Sequence, residues 1–173
     1  KVRKVWDIGT PVGVIAGIVP STNPTSTVIY KAMIALKGGN AIVFSPHPGA
    51  KKCILETVEI ISRAACEAGC PKGAVSAISG PTIEATQALV KSEHTALILA
   101  TGGGAMVKSA YSSGTPAIGV GAGNGPAFID KSADIKKAVK QILDSKTFDN
   151  GTICASEQSI IVERCMEAKV VEE

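Results

Sequence analysis

Short apolar runs alternate with helical patterns along most of this chain. Residues 12–19 and 40–44 have the length and apolar content of buried strands. Between them, residues 25–36 place five apolar side chains at helical spacing before Gly38-Gly39: Val28, Ile29, Ala32, Met33 and Leu36. Because strands that alternate with helices form right-handed βαβ units, this order predicts an α/β fold with a doubly wound, mostly parallel, Rossmann-like sheet flanked by helices.

The same alternation continues towards the end of the chain. A long helix with an apolar face ends at Gly69, and further helices are predicted over 83–90, 103–111 and 133–146. Further strands are predicted over 74–78, 96–100, 115–120 and 127–129. The low aromatic content of 3% favours tight packing of small side chains, as in a parallel sheet covered by helices.

Charge and cysteine content exclude several function classes. The net charge of +3 is spread along the chain without a basic, aromatic-interleaved stripe, so nucleic acid is not an expected partner. The sequence shows neither a signal peptide nor an apolar run long enough to span a bilayer, and five cysteines without framework spacing predict a reducing, cytoplasmic compartment. Cys66 and Cys70 lie four residues apart, but no further Cys or His pair completes a zinc set, so no metal site is predicted.

A single cysteine, Cys154, lies in a small polar segment between a predicted helix and an apolar run. Asn150-Gly151 predicts a turn just before it, which would surround the thiol with free backbone N–H groups. An exposed thiol on such a bend is a candidate nucleophile. A small buried residue at a loop-to-strand junction is the competing interpretation, and the local pattern leaves both open.

Other candidate residues follow predicted strands, where ligands bind to sheets of this kind. Asn23 follows the first strand and is expected to cap the next helix, or else to donate its side-chain amide to a substrate. Residues 45–48 form a stiff polar turn after the second strand, in which His47 is expected to be a surface residue. Residues 101–106 open a helix with three glycines, which suits either phosphate binding or a tight turn. Alternating glycines at 119–125 precede Pro126 and another strand, so they fail the context of a dinucleotide fingerprint.

Four of these segments together resemble the aldehyde dehydrogenase superfamily: residues 20–24 (Pro-Ser-Thr-Asn-Pro), 37–43, 101–103 and 148–154 (Phe-Asp-Asn-Gly-Thr-Ile-Cys). The similarity is strongest to the acylating, coenzyme A-dependent branch, which includes acetaldehyde and propionaldehyde dehydrogenases and the aldehyde dehydrogenase half of bifunctional aldehyde–alcohol dehydrogenases. The resemblance implies that Cys154 attacks the aldehyde and that Asn23, with the Cys154 N–H, stabilises the oxyanion. It also implies a cofactor-binding set: Ser45, Pro46, Gly80, Pro81, Thr101, Gly102, Gly103, Met106 and Gly121.

One departure from the wider superfamily bears on the reaction. Hydrolytic members carry a glutamate that activates water, and the resemblance puts its position at Val120. Valine cannot act as a general base. The resemblance therefore implies that the acyl group passes from the cysteine thioester to coenzyme A, with NAD as the oxidant and NADP as an open alternative.

The resemblance also implies how the chain is organised. Residues 1–147 correspond to the dinucleotide-binding domain and 148–173 to the start of the catalytic segment, the rest of which lies outside this chain. A short-chain aldehyde and coenzyme A are the implied partners, in a homo-oligomeric enzyme of the cytoplasm or of a bacterial microcompartment. Two alternatives are a catalytically silent dinucleotide-binding module and a hydrolytic or semialdehyde dehydrogenase relative.

Overall fold

The computed structural model describes Trp6 and residues 8–173. The chain forms two compact units, one ending at Gly121 and the other running from Ala122 to Glu173. Residues 122–147, predicted above to belong to the dinucleotide-binding domain, pack into the same unit as the cysteine segment. The functional boundary at residue 147 remains a prediction.

The first unit is built on a five-stranded sheet in which every pair of neighbouring strands is parallel. Its strands are β1 (Val14–Val19), β2 (Ala41–Pro46), β3 (Val75–Ala77), β4 (Thr95–Thr101) and β5 (Ala117–Val120). They lie in the order β3-β2-β1-β4-β5, so the chain reverses its direction of winding between β1 and β4. The predicted doubly wound parallel sheet is therefore confirmed.

Helices cover both faces of this sheet. They are α1 (Pro24–Lys37), α2 (Lys51–Glu67), α3 (Ile83–Val90) and α4 (Gly104–Tyr111). One buried apolar cluster joins α1 and α2 to the sheet around Val28, Phe44 and Ile54, and a second joins α3 and α4 to it around Ile98 and Ala110. Each cluster removes apolar surface from water, which is the main force that holds the layers together.

The buried face of α1 differs from the predicted one. Val28 and Ala32 are buried as expected, but Ile29 and Met33 are 44% and 64% exposed. The buried residues of this helix also include Lys31, which is only 1% exposed. Its amine donates hydrogen bonds to the carbonyl of Ile18 on β1 at 2.7 Å and to the carbonyl of Leu99 on β4 at 2.8 Å. The predicted helix is present, but its apolar spacing did not reveal that Lys31 is buried, which these two carbonyls allow by accepting hydrogen bonds from the amine.

The second unit contains a smaller βαβ arrangement. Strands β6 (Gly125–Ile129) and β7 (Glu157–Val162) are parallel neighbours, and α5 (Ile135–Thr147) lies between them in sequence. A short helix, α6 (Glu167–Glu172), follows β7. The strand predicted near 127–129 is therefore present, but it pairs with β7 rather than joining the five-stranded sheet.

The buried amine of Lys31 makes folding stability depend on pH. Desolvation by burial lowers the pKa of Lys31 from 10.5 to about 7. Between that value and about 10.4, the usual lysine pKa of an unfolded chain, the unfolded state binds more protons than the folded state. The free energy of unfolding attributable to Lys31 should therefore rise as the pH increases, by up to about 1.4 kcal/mol per pH unit. In urea unfolding between pH 6.5 and 9.5, Lys31→Met should remove this slope.

Lys37→Met is the matched control, because Lys37 is an exposed lysine on the same helix. It should keep the pH slope of the unsubstituted chain. An unchanged slope in Lys31→Met would contradict the prediction.

Candidate active site

The carboxyl ends of β1 and β4 lie side by side at the point where the winding direction reverses. Ile18 is paired with Ala100 in the parallel register, so the loops that follow the two strands leave the sheet as neighbours. In doubly wound sheets, this crevice is where ligands bind. Within the first unit, the fold thus brings the predicted oxyanion residue Asn23 and the turn at residues 101–103 to the same edge of the sheet.

Asn23 precedes α1, but its side chain does not cap the helix. Its main-chain carbonyl instead accepts hydrogen bonds from the Thr27 N–H at 3.2 Å and from the Thr27 hydroxyl at 2.7 Å. The capping role expected from the sequence is therefore wrong. The backbone of Asn23 is fixed while its side chain is exposed, an arrangement that suits an amide held ready to donate to a substrate oxygen.

The glycine turn after β4 presents open backbone. Gly103 is the N-cap of α4, and no atom lies within 4 Å of the position that a Cβ at Gly103 or Gly104 would occupy. The Gly102 N–H donates to the Val120 carbonyl at 3.2 Å, which joins this turn to the end of β5. A ligand can therefore approach the start of α4 closely, and the helix dipole there favours a phosphate group.

Three further members of the predicted cofactor-binding set surround this turn. The Thr101 hydroxyl lies 3.4 Å from the Tyr30 hydroxyl of α1. Met106 packs against the buried cluster below the turn, so its side chain supports the turn from inside the fold. Gly121 lies beside Gly102, whose carbonyl oxygen would be 3.9 Å from a Cβ at residue 121.

Ser45 and Pro46 are both buried at the end of β2. The Ser45 hydroxyl lies 2.7 Å from the Thr86 hydroxyl, which in turn donates to the Thr82 carbonyl at 2.8 Å. Since the single hydrogen of Thr86 is used in that second bond, Ser45 is the donor to Thr86. The Ser45 hydroxyl is therefore buried and binds Thr86, which in turn binds Thr82, the residue just before α3.

This chain of hydroxyls positions the loop that contains Gly80 and Pro81. Thr82 is the N-cap of α3, and its side chain accepts a hydrogen bond from the Ala85 N–H at 3.1 Å. Gly80 is exposed, with no atom within 4 Å of a Cβ built on it. Thr82 and Thr86 were not predicted from the sequence, although a threonine at the N-cap and another four residues later were an available signal.

His47 completes the turn after β2 and is exposed, as expected. Its Nδ1 accepts a hydrogen bond from the Gly49 N–H at 3.1 Å. The imidazole thus holds the turn that leads into α2. Val120, at the end of β5, is 54% exposed and offers no group that could take a proton from water.

In the second unit, Cys154 is exposed on a bend between α5 and β7. Three successive residues have positive φ before it: 49° at Asp149, 53° at Asn150 and 69° at Gly151. The predicted turn at Asn150-Gly151 is therefore confirmed. A second turn, closed by the Ser156 N–H on the Ile153 carbonyl at 3.0 Å, encloses Cys154 itself. Within the described residues, Cys154 is exposed and not buried.

The far end of the cysteine bend is anchored by Glu157, the first residue of β7. The Ser145 hydroxyl of α5 donates to this carboxylate at 2.8 Å. Hydrogen bonds from its own backbone N–H and from Ser145 lower the pKa of Glu157, and Lys146 contributes a smaller electrostatic effect. A charged Glu157 thus ties the start of β7 to α5.

The sequence pattern described as "Aldehyde dehydrogenase family" matches residues 3–173. The chain belongs to this family. The bifunctional aldehyde-alcohol dehydrogenase of Escherichia coli K12 is 58% identical over 155 residues, which are 90% of this chain and 17% of that protein. This aldehyde dehydrogenase family chain thus spans less than a fifth of that relative.

Solved structures agree with this assignment. A probable aldehyde dehydrogenase from Listeria monocytogenes superposes with a TM-score of 0.87 at 69% identity and covers 94% of this chain. An acetylating aldehyde dehydrogenase from Geobacillus thermoglucosidasius gives a TM-score of 0.86 at 60% identity over the same share. In each case this chain covers 36% of the other one. The resemblance stated from the motifs and the fold it implied are both confirmed.

The described part of this aldehyde dehydrogenase family chain contains neither a cluster of metal ligands nor a helix that could span a membrane. Among Trp6 and residues 8–173, no group of three or more His, Cys, Asp or Glu side chains could hold a metal ion. Over the same residues, no helix has the length and apolar character needed to cross a bilayer.

Because the Asn23 side chain makes no capping bond, its truncation should cost little stability. Asn23→Ala should change the free energy of unfolding by less than about 0.5 kcal/mol, whereas loss of a true N-cap costs about 1 kcal/mol. Urea unfolding measures this difference. Thr82→Ala is the positive control, since Thr82 does cap α3. An equal loss of stability in both variants would contradict the assignment.

Proposed function

We propose that the polypeptide carrying this sequence is an acylating aldehyde dehydrogenase, which converts a short-chain aldehyde, NAD and coenzyme A reversibly into acyl-coenzyme A and NADH. The observation that carries the proposal is the exposed thiol of Cys154 on a fixed bend, in a family chain that has an apolar residue at Val120. Similarity to an acetylating enzyme at 60% identity supports the same reaction class.

Cys154 supplies the nucleophile in the proposed reaction. Its thiolate attacks the aldehyde carbonyl and forms a thiohemiacetal, whose developing negative charge is stabilised by the Asn23 amide and the Cys154 N–H. Loss of hydride from that carbon, with NAD as the acceptor, leaves a thioester on Cys154. Coenzyme A loses its thiol proton to solvent, and its thiolate then attacks the thioester and releases the Cys154 thiolate together with acyl-coenzyme A.

The proposed acyl acceptor, coenzyme A, follows from the presence of valine at residue 120. Hydrolysis of a thioester requires a base to activate water, and the Val120 side chain cannot accept a proton. A thiolate needs no such base at the moment of attack. Transfer to coenzyme A is therefore favoured over release of a free acid.

The edge of the five-stranded sheet fits a dinucleotide. The open backbone at Gly103 and Gly104 offers a place for the pyrophosphate, and Gly80 leaves space at the end of β3. The turn from Ser45 to Gly49 contains no arginine or lysine that could pair with a 2′-phosphate, and the Ser45 hydroxyl is engaged with Thr86. We therefore favour NAD over NADP.

Two features of the proposal concern the polypeptide as a whole. All five cysteines are free, which supports a reducing compartment such as the cytoplasm. Exposed apolar side chains at Ile118 on β5 and Phe128 on β6, which are 59% and 65% exposed, support further burial against other segments or subunits in a homo-oligomer.

Removal of the proposed nucleophile tests the reaction directly. In the intact polypeptide, Cys154→Ser should lower the rate of NADH formation from aldehyde and coenzyme A by about 10³-fold or more, because a hydroxyl is a much weaker nucleophile than a thiolate. Cys165→Ser is the matched control, since Cys165 is another exposed cysteine of the same unit, and it should remain active. Full activity of Cys154→Ser, or rapid formation of free acid without coenzyme A, would overturn the proposal.

Cofactor choice gives a separate test. With the intact polypeptide, kcat/KM for NAD should exceed that for NADP by about tenfold or more, because the turn from Ser45 to Gly49 offers a 2′-phosphate neither an arginine nor a lysine. Initial rates of aldehyde-dependent reduction at varied concentrations of each dinucleotide measure the ratio. Equal or greater efficiency with NADP would contradict the preference.

A further inference from the structure

Gly123, just before β6, lies against the main chain of Cys154. A Cβ built on Gly123 would overlap the Cys154 carbonyl oxygen and lie only 3.1 Å from the Cys154 carbonyl carbon. The neighbouring glycines do not face this restriction. A Cβ at Gly121 or Gly125 would meet nothing closer than 3.9 Å, an ordinary van der Waals contact.

The requirement for glycine at this position comes from space and not from backbone conformation. Gly123 is absent from the glycines with positive φ, so an alanine could adopt its backbone angles. The obstacle is a main-chain carbonyl, which cannot rotate away as the end of a flexible side chain can. Any side chain at residue 123 must therefore displace the backbone of the cysteine bend.

We infer that Gly123 is a positioning residue for Cys154: its bare backbone is the surface on which the main chain of the nucleophile rests. This inference rests on the proposed function, in which the Cys154 N–H is an oxyanion donor. Contact with Gly123 fixes the position of the Cys154 carbonyl group. The N–H and the side chain of Cys154 belong to the same short segment, so their positions are fixed with it.

The surrounding contacts prevent the bend from moving as a whole. The turn that encloses Cys154 is closed by the Ser156 N–H on the Ile153 carbonyl, and Ser156 is buried. Glu157 follows at once, paired in register with Gly125 and bound to Ser145. A displacement forced by residue 123 is therefore concentrated in the few residues that present the thiol.

Such a displacement is expected to slow the chemical step. Relief of the overlap requires a shift of roughly 1 Å, and misplacement on that scale can cost about 10²-fold in rate. Binding of the dinucleotide depends on the first unit, which Gly123 does not belong to. Gly123→Ala should therefore lower kcat much more than it raises the KM for NAD.

The test uses the intact polypeptide with two alanine substitutions in one loop. Gly123→Ala should lower kcat for NADH formation by about 10²-fold and change the KM for NAD by less than about threefold. Gly125→Ala is the matched control and should stay within about threefold of the unsubstituted enzyme in both constants. Mass spectrometry of iodoacetamide-treated protein should show Cys154 still alkylated, with Cys165 as the internal reference.

A second variant covers the case in which Gly123→Ala does not fold. Insertion of one extra glycine between Ala122 and Gly123 adds no side chain but loosens the contact, and it should produce the same selective loss of kcat. Equal kcat values for Gly123→Ala and Gly125→Ala would overturn the inference, as would an unchanged kcat in the insertion variant. Failure of the proposed function appears differently, as retained activity in Cys154→Ser.

Discussion

The contact between the Lys31 amine and the carbonyls of Ile18 and Leu99 is the constraint on which the candidate site depends. It joins α1 to the two strands at whose carboxyl ends the winding direction reverses. Each carbonyl lies one or two residues before its strand ends, so the amine fixes the spacing of the two loops that follow. A neutral amine has two N–H groups, which equals the number of carbonyls that it meets. Burial of the amine is compatible with folding because both partners are present.

The two units position their functional groups by different physical means. Around the five-stranded sheet, side-chain hydrogen bonds define the loops: Thr27 holds the Asn23 carbonyl, and the Ser45 hydroxyl acts on the next loop through Thr86. Around Cys154, positions are set by backbone shape and by close approach of Gly123. The first arrangement uses hydrogen bonds that can be removed one at a time, whereas the second depends on the absence of a side chain.

The sequence predicted the order and type of the elements well, because strand and helix periodicities are local. The helix α2 buries Ile54 and Val58 as its pattern indicated, and the turn at Asn150 formed as expected. The buried face of α1 could not be predicted in the same way, since the acceptors of Lys31 lie 13 and 68 residues away in sequence. The hydrogen bond between Ser45 and Thr86 could not be predicted for the same reason, since the two residues are 41 positions apart in sequence. The capping role of Asn23 failed because its side-chain oxygen accepts a hydrogen bond from the Thr22 hydroxyl and makes none with the start of the helix.

The positive φ values at Asp149 and Asn150 explain the residue types that precede Cys154 in the motif. Asn and Asp adopt this conformation more readily than other residues with side chains, because a short polar side chain can bond locally. An acid and an amide so close in sequence to a reactive sulfur invite interpretation as proton donors or acceptors. Their backbone angles supply a sufficient reason for their presence. Asp149 and Asn150 turn the chain ahead of Cys154, and the proposed chemistry requires neither side chain.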